Sequence, residues 1–145
     1  MNNLKIIDIL VIEDNCNDMK LIAKIVSSEN WKVNFNHLKN SVEVIDYLHK
    51  KGKYKDCATP SLILLDLNLP EKSGLEVLKE IKTDSILKCI PVIILTNSND
   101  NKDVSKSYKH HANAYITKPI DHDKFKEYIS TFKEFWLNNV QLPKR

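Results

Sequence analysis

Residues 61–74 constrain the fold of this chain more than any other stretch. The four apolar residues Leu62–Leu65 are typical of a strand that is buried on both faces, as the central strands of parallel sheets are. One carboxylate, Asp66, follows this strand, and Pro70 and Gly74 then mark a turn into a helical pattern. In open α/β sheets, ligands bind beyond the carboxyl ends of the strands. A lone acid there is also compatible with an ordinary strand-ending turn, so its meaning depends on which other groups converge on it.

Strand and helix patterns alternate along the whole chain. Apolar and β-branched runs at 6–12, 33–35, 62–65, 92–95 and 114–116 alternate with helical spacing at 21–26, 42–48, 75–81, 102–109 and 125–140. Asn17 or Asp18 is predicted to cap the first helix. This alternation implies right-handed crossovers and a parallel sheet covered by helices on both faces. The prediction is one doubly wound α/β domain over residues 1–145.

Composition argues against several classes of protein. No apolar run approaches the roughly 20 residues that span a bilayer, and the N-terminus has no signal-peptide anatomy, so we expect a cytoplasmic protein without membrane contact. The three cysteines are widely spaced and odd in number, which predicts reduced thiols. The net charge of +3 is mild, and the lysine run at 49–55 is expected to be a solvated loop. No nucleic-acid-binding motif accompanies it, so no nucleic-acid partner is expected.

Polar groups follow four of the predicted strands. They are Glu13 and Asp14, Asp66, Thr96, and Lys118. If the first and third strands are neighbours, the three carboxylates meet. Two carboxylates about 4 Å apart repel by about 4 kcal/mol at an effective dielectric constant of about 20, so three of them raise their pKa values or require a cation. A set of oxygen ligands of this kind suits Mg²⁺.

The remaining strand-end groups suit phosphoryl chemistry. Thr96 offers a hydroxyl and Lys118 a flexible point charge, and both can contact phosphoryl oxygens. An ionised Asp66 can attack phosphorus as a nucleophile and form an aspartyl phosphate without a separate base. A metal ion and Lys118 would neutralise the charge that develops during such a transfer. The residues therefore predict a phosphoacceptor site.

These motifs, in this order, resemble the response-regulator receiver domains of two-component signalling, the family of the bacterial chemotaxis regulator. The matching residues are Glu13, Asp14, Asp66, Asn68, Pro70, Gly74, Thr96, Tyr115, Lys118 and Pro119. The resemblance implies a flavodoxin-like receiver fold with five helices and a five-stranded parallel sheet in the order 2-1-3-4-5. It also implies a stand-alone response regulator that is a phosphoacceptor rather than an enzyme, and that takes its phosphoryl group from a histidine kinase.

The resemblance assigns metal-binding roles to four residues. It implies that Asp14 and Asp66 bind Mg²⁺ directly, and that Glu13 binds it through water. The main-chain carbonyl of Asn68 would complete the protein ligands.

The same resemblance assigns roles around the phosphoryl group. Asp66 would carry the phosphate, and Thr96 and Lys118 would hold it, with a cis peptide bond between Lys118 and Pro119. Tyr115 would report the state of Thr96 by rotating between exposed and buried positions. That rotation would remodel the surface formed by the fourth helix, fifth strand and fifth helix, which is a two-state switch biased by a local charge.

Two additions extend the minimal domain. The loop over residues 50–61 is long, and an apolar stripe continues beyond a core of about residues 5–130 into a helical extension at 131–145. Both features resemble the small single-domain regulators that pair with bacteriophytochrome-type histidine kinases. One helix face cannot easily bury Phe132, Phe135 and Trp136 together, so we expect a homodimer through this helix and the fourth-helix face. Output would pass by contact to a downstream protein or a phosphotransfer protein.

Three alternatives stay open at this point. The first is a receiver-like interaction module that works without phosphate. The second is a phosphohydrolase of the haloacid-dehalogenase type, which needs a second aspartate two residues after the acceptor, where this chain has Asn68. The third is a flavodoxin-like cofactor binder, and it is disfavoured because the acidic pair Glu13 and Asp14 would repel a cofactor phosphate.

Overall fold

The computed structural model describes residues 5–26 and 31–143. Its strands are β1 (Lys5–Ile12), β2 (Trp31–Leu38), β3 (Leu62–Leu65), β4 (Val92–Thr96) and β5 (Ala114–Thr117). They form one five-stranded sheet in the order β2-β1-β3-β4-β5, and every pairing between neighbours is parallel. The predicted fold and its strand order are confirmed.

The helices follow the strands in alternation. They are α1 (Cys16–Val26), α2 (Val44–Leu48), α3 (Gly74–Thr83), α4 (Asn101–Lys109) and α5 (His122–Phe132). Short 3₁₀ turns lie at Ser41–Glu43, Gly52–Tyr54 and Leu87–Cys89. None of the helices in the described residues combines the length and the apolar character of a membrane-spanning segment.

A hydrophobic core lies on each face of the sheet. Successive side chains of a strand point to opposite faces, so β3 contributes to both cores. Ile63 and Leu65 pack in the core beneath α2 and α3, whereas Leu62 and Leu64 pack in the core beneath α1 and α5. All four residues of β3 are buried, as the run of apolar residues predicts. This double burial fixes the position of the residue that follows the strand.

The chain beyond α5 continues as a wider, π-helical segment, Lys133–Asn139. It ends with a hydrogen bond from the N–H of Val140 to the carbonyl of Phe135, at 2.9 Å. Phe132 is buried and Trp136 is partly buried against the core on the α1 and α5 side, while Phe135 is 51% exposed. The exposure of Phe135 agrees with the expectation that one helix face cannot bury all three aromatic residues.

Candidate functional site

Three carboxylates meet at the carboxyl end of the sheet. Glu13 and Asp14 follow β1, and Asp66 follows β3, which pairs directly with β1. The N–H of Asp66 donates to the carbonyl of Ile12 at 3.0 Å, so the pairing of the two strands continues to Asp66. Carboxylate oxygens of the three acids all lie within 4.8 Å of one another. Oxygen ligands in this arrangement suit a hard divalent cation.

The cluster is buried on one side and open on the other. Glu13 and Asp66 are buried, whereas Asp14 is exposed to solvent. Burial raises the pKa of Glu13 to about 7; the charge of Asp66 adds to this rise, while a hydrogen bond from Lys118 opposes it. A divalent cation at the cluster would favour the ionised form of Glu13.

Lys118 brings a buried positive charge to the cluster. Its Nζ donates to Glu13, to Oδ2 of Asp18 at 3.0 Å and to Oδ2 of Asp66 at 3.5 Å. Burial acts to lower the pKa of Lys118, but the hydrogen bond and charge of Glu13, together with Asp66 and Asp18, raise it overall. Lys118 therefore remains an ammonium group in direct contact with the candidate acceptor.

The sequence prediction missed the contact of Asp18 with Lys118. Asp18 was predicted only as one of two possible helix caps, and that prediction is wrong. Helix α1 begins at Cys16, so Asn17 and Asp18 both lie inside it. The residue before the helix, Asn15, accepts the N–H of Asp18 with its Oδ1 at 3.1 Å. Because Asn15 caps the helix, the carboxylate of Asp18 is available to Lys118. The two residues are 100 positions apart, so no local pattern indicates their contact.

Thr96 lies at the end of β4 and is fully buried. Its Oγ1 has no hydrogen-bond partner among the described residues. A buried hydroxyl without a partner costs about 1–3 kcal/mol, and a hydrogen bond to a ligand or an ordered water removes that cost. The N–H of Lys118 donates to the carbonyl of Thr96 at 2.7 Å, which places the two residues side by side. Thr96 therefore offers this orphaned hydroxyl, a donor without a partner among the described residues, beside Lys118.

The loop after β3 is held close to Asp66. The N–H of Asn68 donates to Oδ1 of Asp66 at 3.0 Å, and Asn68 itself is exposed. Its predicted role as a main-chain metal ligand stays a prediction. A Cβ at Gly74 would lie 2.1 Å from the carbonyl oxygen of Asp66, so only glycine fits there.

A buried serine from a different loop braces this segment. The hydroxyl of Ser41 donates to the carbonyl of Pro70 at 2.9 Å and accepts the N–H of Lys72 at 3.0 Å. Ser41 is fully buried at the start of the 3₁₀ turn that precedes α2. A serine before a helical pattern is typical of a residue that begins a helix, so the sequence does not indicate these contacts. These two hydrogen bonds hold the loop that follows Asp66 against the segment between β2 and α2.

Tyr115 lies on β5 and is partly buried. Its hydroxyl donates to the carbonyl of Ser98 at 2.8 Å, and burial raises the pKa of this hydroxyl. Ser98 follows Thr96 by two residues, so Tyr115 is linked to the segment that directly follows the residue with the orphaned hydroxyl. The predicted rotation of Tyr115 in response to Thr96 stays a prediction.

The peptide bond between Lys118 and Pro119 differs from the expectation. The described residues contain no cis peptide bond, so this bond is trans. Trans is the more stable isomer for proline in general. With the bond in this form, Lys118 contacts Glu13, Asp18 and Asp66.

The fold and this strand-end constellation define a class of protein. Residues 9–130 match the response regulator receiver domain family, and the chain belongs to that family. The family predicted from the sequence motifs is confirmed.

Particular relatives refine this assignment. The chain is 38% identical to the response regulator Rcp1 of Synechocystis sp. over 135 residues. This alignment covers 93% of this chain and 92% of Rcp1. The phosphorylated cyanobacterial phytochrome response regulator RcpA superimposes with a TM-score of 0.92 at 38% identity, covering 95% of this chain and 99% of that one. The Mn²⁺-bound form of Rcp1 also superimposes with a TM-score of 0.92, at 37% identity, and the match covers 95% of this chain and 99% of that one. The predicted resemblance to phytochrome-associated regulators is confirmed.

Proposed function

We propose that this receiver domain accepts a phosphoryl group on Asp66 from a histidine kinase in a Mg²⁺-dependent reaction. The observation that carries the proposal is the position of Asp66 between an acidic cluster and the buried ammonium of Lys118, 3.5 Å from its Oδ2. The orphaned hydroxyl of Thr96 supports it from the neighbouring strand.

The acidic cluster fits a magnesium ion. Asp14 and Asp66 would bind the ion directly, Glu13 through water, and Asn68 through its main-chain carbonyl. The oxygen-only donor set supports this choice, as does the Mn²⁺-bound form of the relative Rcp1. When bound, the ion supplies positive charge that offsets the charge on the transferring phosphoryl oxygens.

The residues of the chain would then act as follows. A carboxylate oxygen of Asp66 attacks the phosphorus of a phosphohistidine, and the new O–P bond forms as the N–P bond breaks. The histidine leaves with the bonding electron pair. Lys118 donates a hydrogen bond to one phosphoryl oxygen, and Thr96 donates another. Both donors are buried, and such preorganised groups stabilise developing charge more strongly than water does.

The phosphate would be read at the surface near β5. We propose that Thr96 turns toward the phosphoryl group and that Tyr115 responds by changing its position. The link from Tyr115 to the carbonyl of Ser98, at 2.8 Å, supports a connection between the two residues. The altered surface would contact a downstream protein or a phosphotransfer protein in the cytoplasm. Residues 1–145 would act as one receiver domain, with a core of about 5–130 and an extension at 131–145.

The kinase is proposed to be of the bacteriophytochrome type. Relatives named as phytochrome response regulators support this, and they include RcpA. A homodimer through α4, α5 and the extension is part of the same proposal. An open cavity of about 570 Å³ between β5 and the extension, lined by Tyr128, Phe135 and Trp136 among others, supports an apolar contact there. Sedimentation that shows a monomer at high concentration, with and without phosphate, would contradict the dimer.

Intact-mass spectrometry tests the phosphoacceptor proposal. The wild-type protein is incubated with acetyl phosphate and Mg²⁺, beside Asp66→Ala, Asp66→Asn and the control Asp56→Asn, which removes an exposed carboxylate. We expect one phosphoryl group on the wild type and the control, none on the two Asp66 variants, and none after chelation. A folded wild type that gains no mass would instead favour the phosphate-independent module. Many turnovers of a phosphoester would favour an enzyme.

A further inference from the structure

We infer that Asp18 is a positioning residue that holds the ammonium of Lys118 in place to receive the phosphoryl group on Asp66. This inference rests on the proposed function. It concerns a residue outside the acidic cluster, since the three carboxylates that could hold a metal ion among the described residues are Glu13, Asp14 and Asp66.

The geometry at Lys118 accounts for all three of its donors. An ammonium group has three N–H bonds, and three carboxylates surround it. The contacts with Glu13 and Asp18 are the shorter two, and the contact with Asp66, at 3.5 Å, is the longest. Two short contacts fix the direction of the third N–H. That third donor faces the carboxylate of Asp66, on which the phosphoryl group would form.

Glu13 and Asp18 differ in what else they contact. Glu13 contacts Lys118 and also belongs to the acidic cluster, and its Oε1 accepts the N–H of Asn15 at 3.1 Å. Its carboxylate is therefore shared between the ammonium and the candidate metal site. Asp18 approaches Lys118 from α1 and takes no part in that cluster of described residues. Of the two carboxylates that anchor Lys118 by the shorter contacts, Asp18 is therefore the one that the candidate metal site does not share.

Asp18 also closes the outer side of the lysine. It lines an open cavity of about 360 Å³ together with Asn97, Lys118 and His122, and its side chain is 23% exposed. Lysine has a flexible four-carbon stem that is costly to hold in one conformation. Without Asp18, the ammonium has this cavity beside it and one anchor fewer. We therefore expect it to spend less time directed at Asp66.

A competing view gives Asp18 the opposite effect. Its negative charge partly neutralises Lys118 and so weakens the attraction of the ammonium for a phosphoryl group. This view predicts that both Asp18→Ala and Asp18→Asn accelerate phosphorylation, because each removes the charge. The positioning view separates the two variants, because asparagine retains a side-chain oxygen that accepts a hydrogen bond from Lys118 and alanine does not.

The test measures phosphorylation by acetyl phosphate at saturating Mg²⁺. We expect Asp18→Ala to slow the reaction by about tenfold or more, the order expected for the loss of one charge-assisted hydrogen bond. Asp18→Asn should recover most of the wild-type rate. The control is Asp123→Asn, which removes an exposed carboxylate in the first turn of α5 and should leave the rate unchanged. The Mg²⁺ affinity of the unphosphorylated protein should change by less than about twofold in the Asp18 variants, because Asp18 lies outside the acidic cluster.

A second readout does not depend on phosphate. The ¹H–¹⁵N signal of the Lys118 ammonium should be observable in the wild type, because the group is buried and hydrogen-bonded, and should be lost by exchange in Asp18→Ala. Rates at or above the wild type in both Asp18 variants, or an unchanged ammonium signal in Asp18→Ala, would overturn the inference. A wild type without an adduct would instead overturn the proposed function, and this inference with it.

Discussion

Lys118 and Glu13, which are 105 positions apart, form an ion pair in which each side chain is only 3% exposed. Removing one member of a buried pair leaves an uncompensated charge, which typically costs about 3–5 kcal/mol. We expect Lys118→Met to lower the free energy of unfolding of the metal-free protein by about 3 kcal/mol in urea titrations. We also expect it to tighten Mg²⁺ binding at pH values where Glu13 is ionised, because a competing cation is gone.

A matched substitution tests whether burial is the cause. Lys124 is exposed on α5, so Lys124→Met should change stability by less than about 0.5 kcal/mol. Equal effects of the two substitutions would show that the buried ion pair is not the source of the loss.

The raised pKa of Glu13 predicts a pH-dependent metal affinity. In the metal-free protein this carboxyl group titrates at about 7, above its ordinary value of 4.5, chiefly because it is buried. Below pH 7 a cation must displace a proton, so the apparent Mg²⁺ affinity should fall as pH drops, by up to about tenfold per unit, and level off above pH 8. Calorimetric titrations from pH 5.5 to 8.5 measure this. In Glu13→Gln the dependence should flatten, and a persisting slope near pH 7 would assign it to another group.

The orphaned hydroxyl of Thr96 predicts that stability and function change in opposite directions. Thr96→Val removes a buried group that has no hydrogen-bond partner among the described residues and preserves the shape of the side chain. We expect the free energy of unfolding to rise by about 1 kcal/mol, and the rate of phosphorylation by acetyl phosphate to fall. Thr96→Ser keeps the hydroxyl and should phosphorylate faster than Thr96→Val. Loss of stability in Thr96→Val would mean that the hydroxyl has a partner in solution.

Replacing each of the two glycines by alanine should destabilise the protein to a different extent. Ala at position 74 would bring its Cβ within 2.1 Å of the carbonyl oxygen of Asp66, so that the loop after β3 must move. We expect Gly74→Ala to destabilise the protein by about 3 kcal/mol and to impair phosphorylation. Gly52 has a φ of +57° but no heavy atom within 4 Å of a built Cβ, so Gly52→Ala should cost only about 1 kcal/mol and leave phosphorylation intact. Thermal unfolding and intact-mass measurements on the pair test this difference.

Sequence patterns predicted those parts of the molecule that depend on periodicity and on strand ends. The apolar run of β3 required burial on both faces, and parallel strands place the residues that follow them at one edge of the sheet. This is why Glu13, Asp14 and Asp66 were expected to meet once β1 and β3 were taken as neighbours.

Sequence patterns did not indicate the contacts between side chains that are far apart in the chain. Asp18 and Ser41 look like helix-starting residues in the sequence, because short polar side chains at those positions commonly cap helices. In the structure Asn15 takes the capping role at α1, and Asp18 contacts Lys118 instead. Ser41 bonds to the loop after β3, about 30 residues away, with its hydroxyl. Each contact depends on the packing of separate elements, which local propensity does not encode.

The order of the sheet gives the side chain of Lys118 a further consequence. Strand β4 separates β3 from β5, so the backbone after β5 shares no ladder of hydrogen bonds with the backbone after β3. Lys118 follows β5, and its ammonium nevertheless touches Asp66 beyond β3 and Glu13 beyond β1. One side chain thus connects the ends of β5 and β3, although β4 lies between these strands. A change of charge at Asp66 would therefore act through one side chain on the segment between β5 and α5, without requiring any strand to shift.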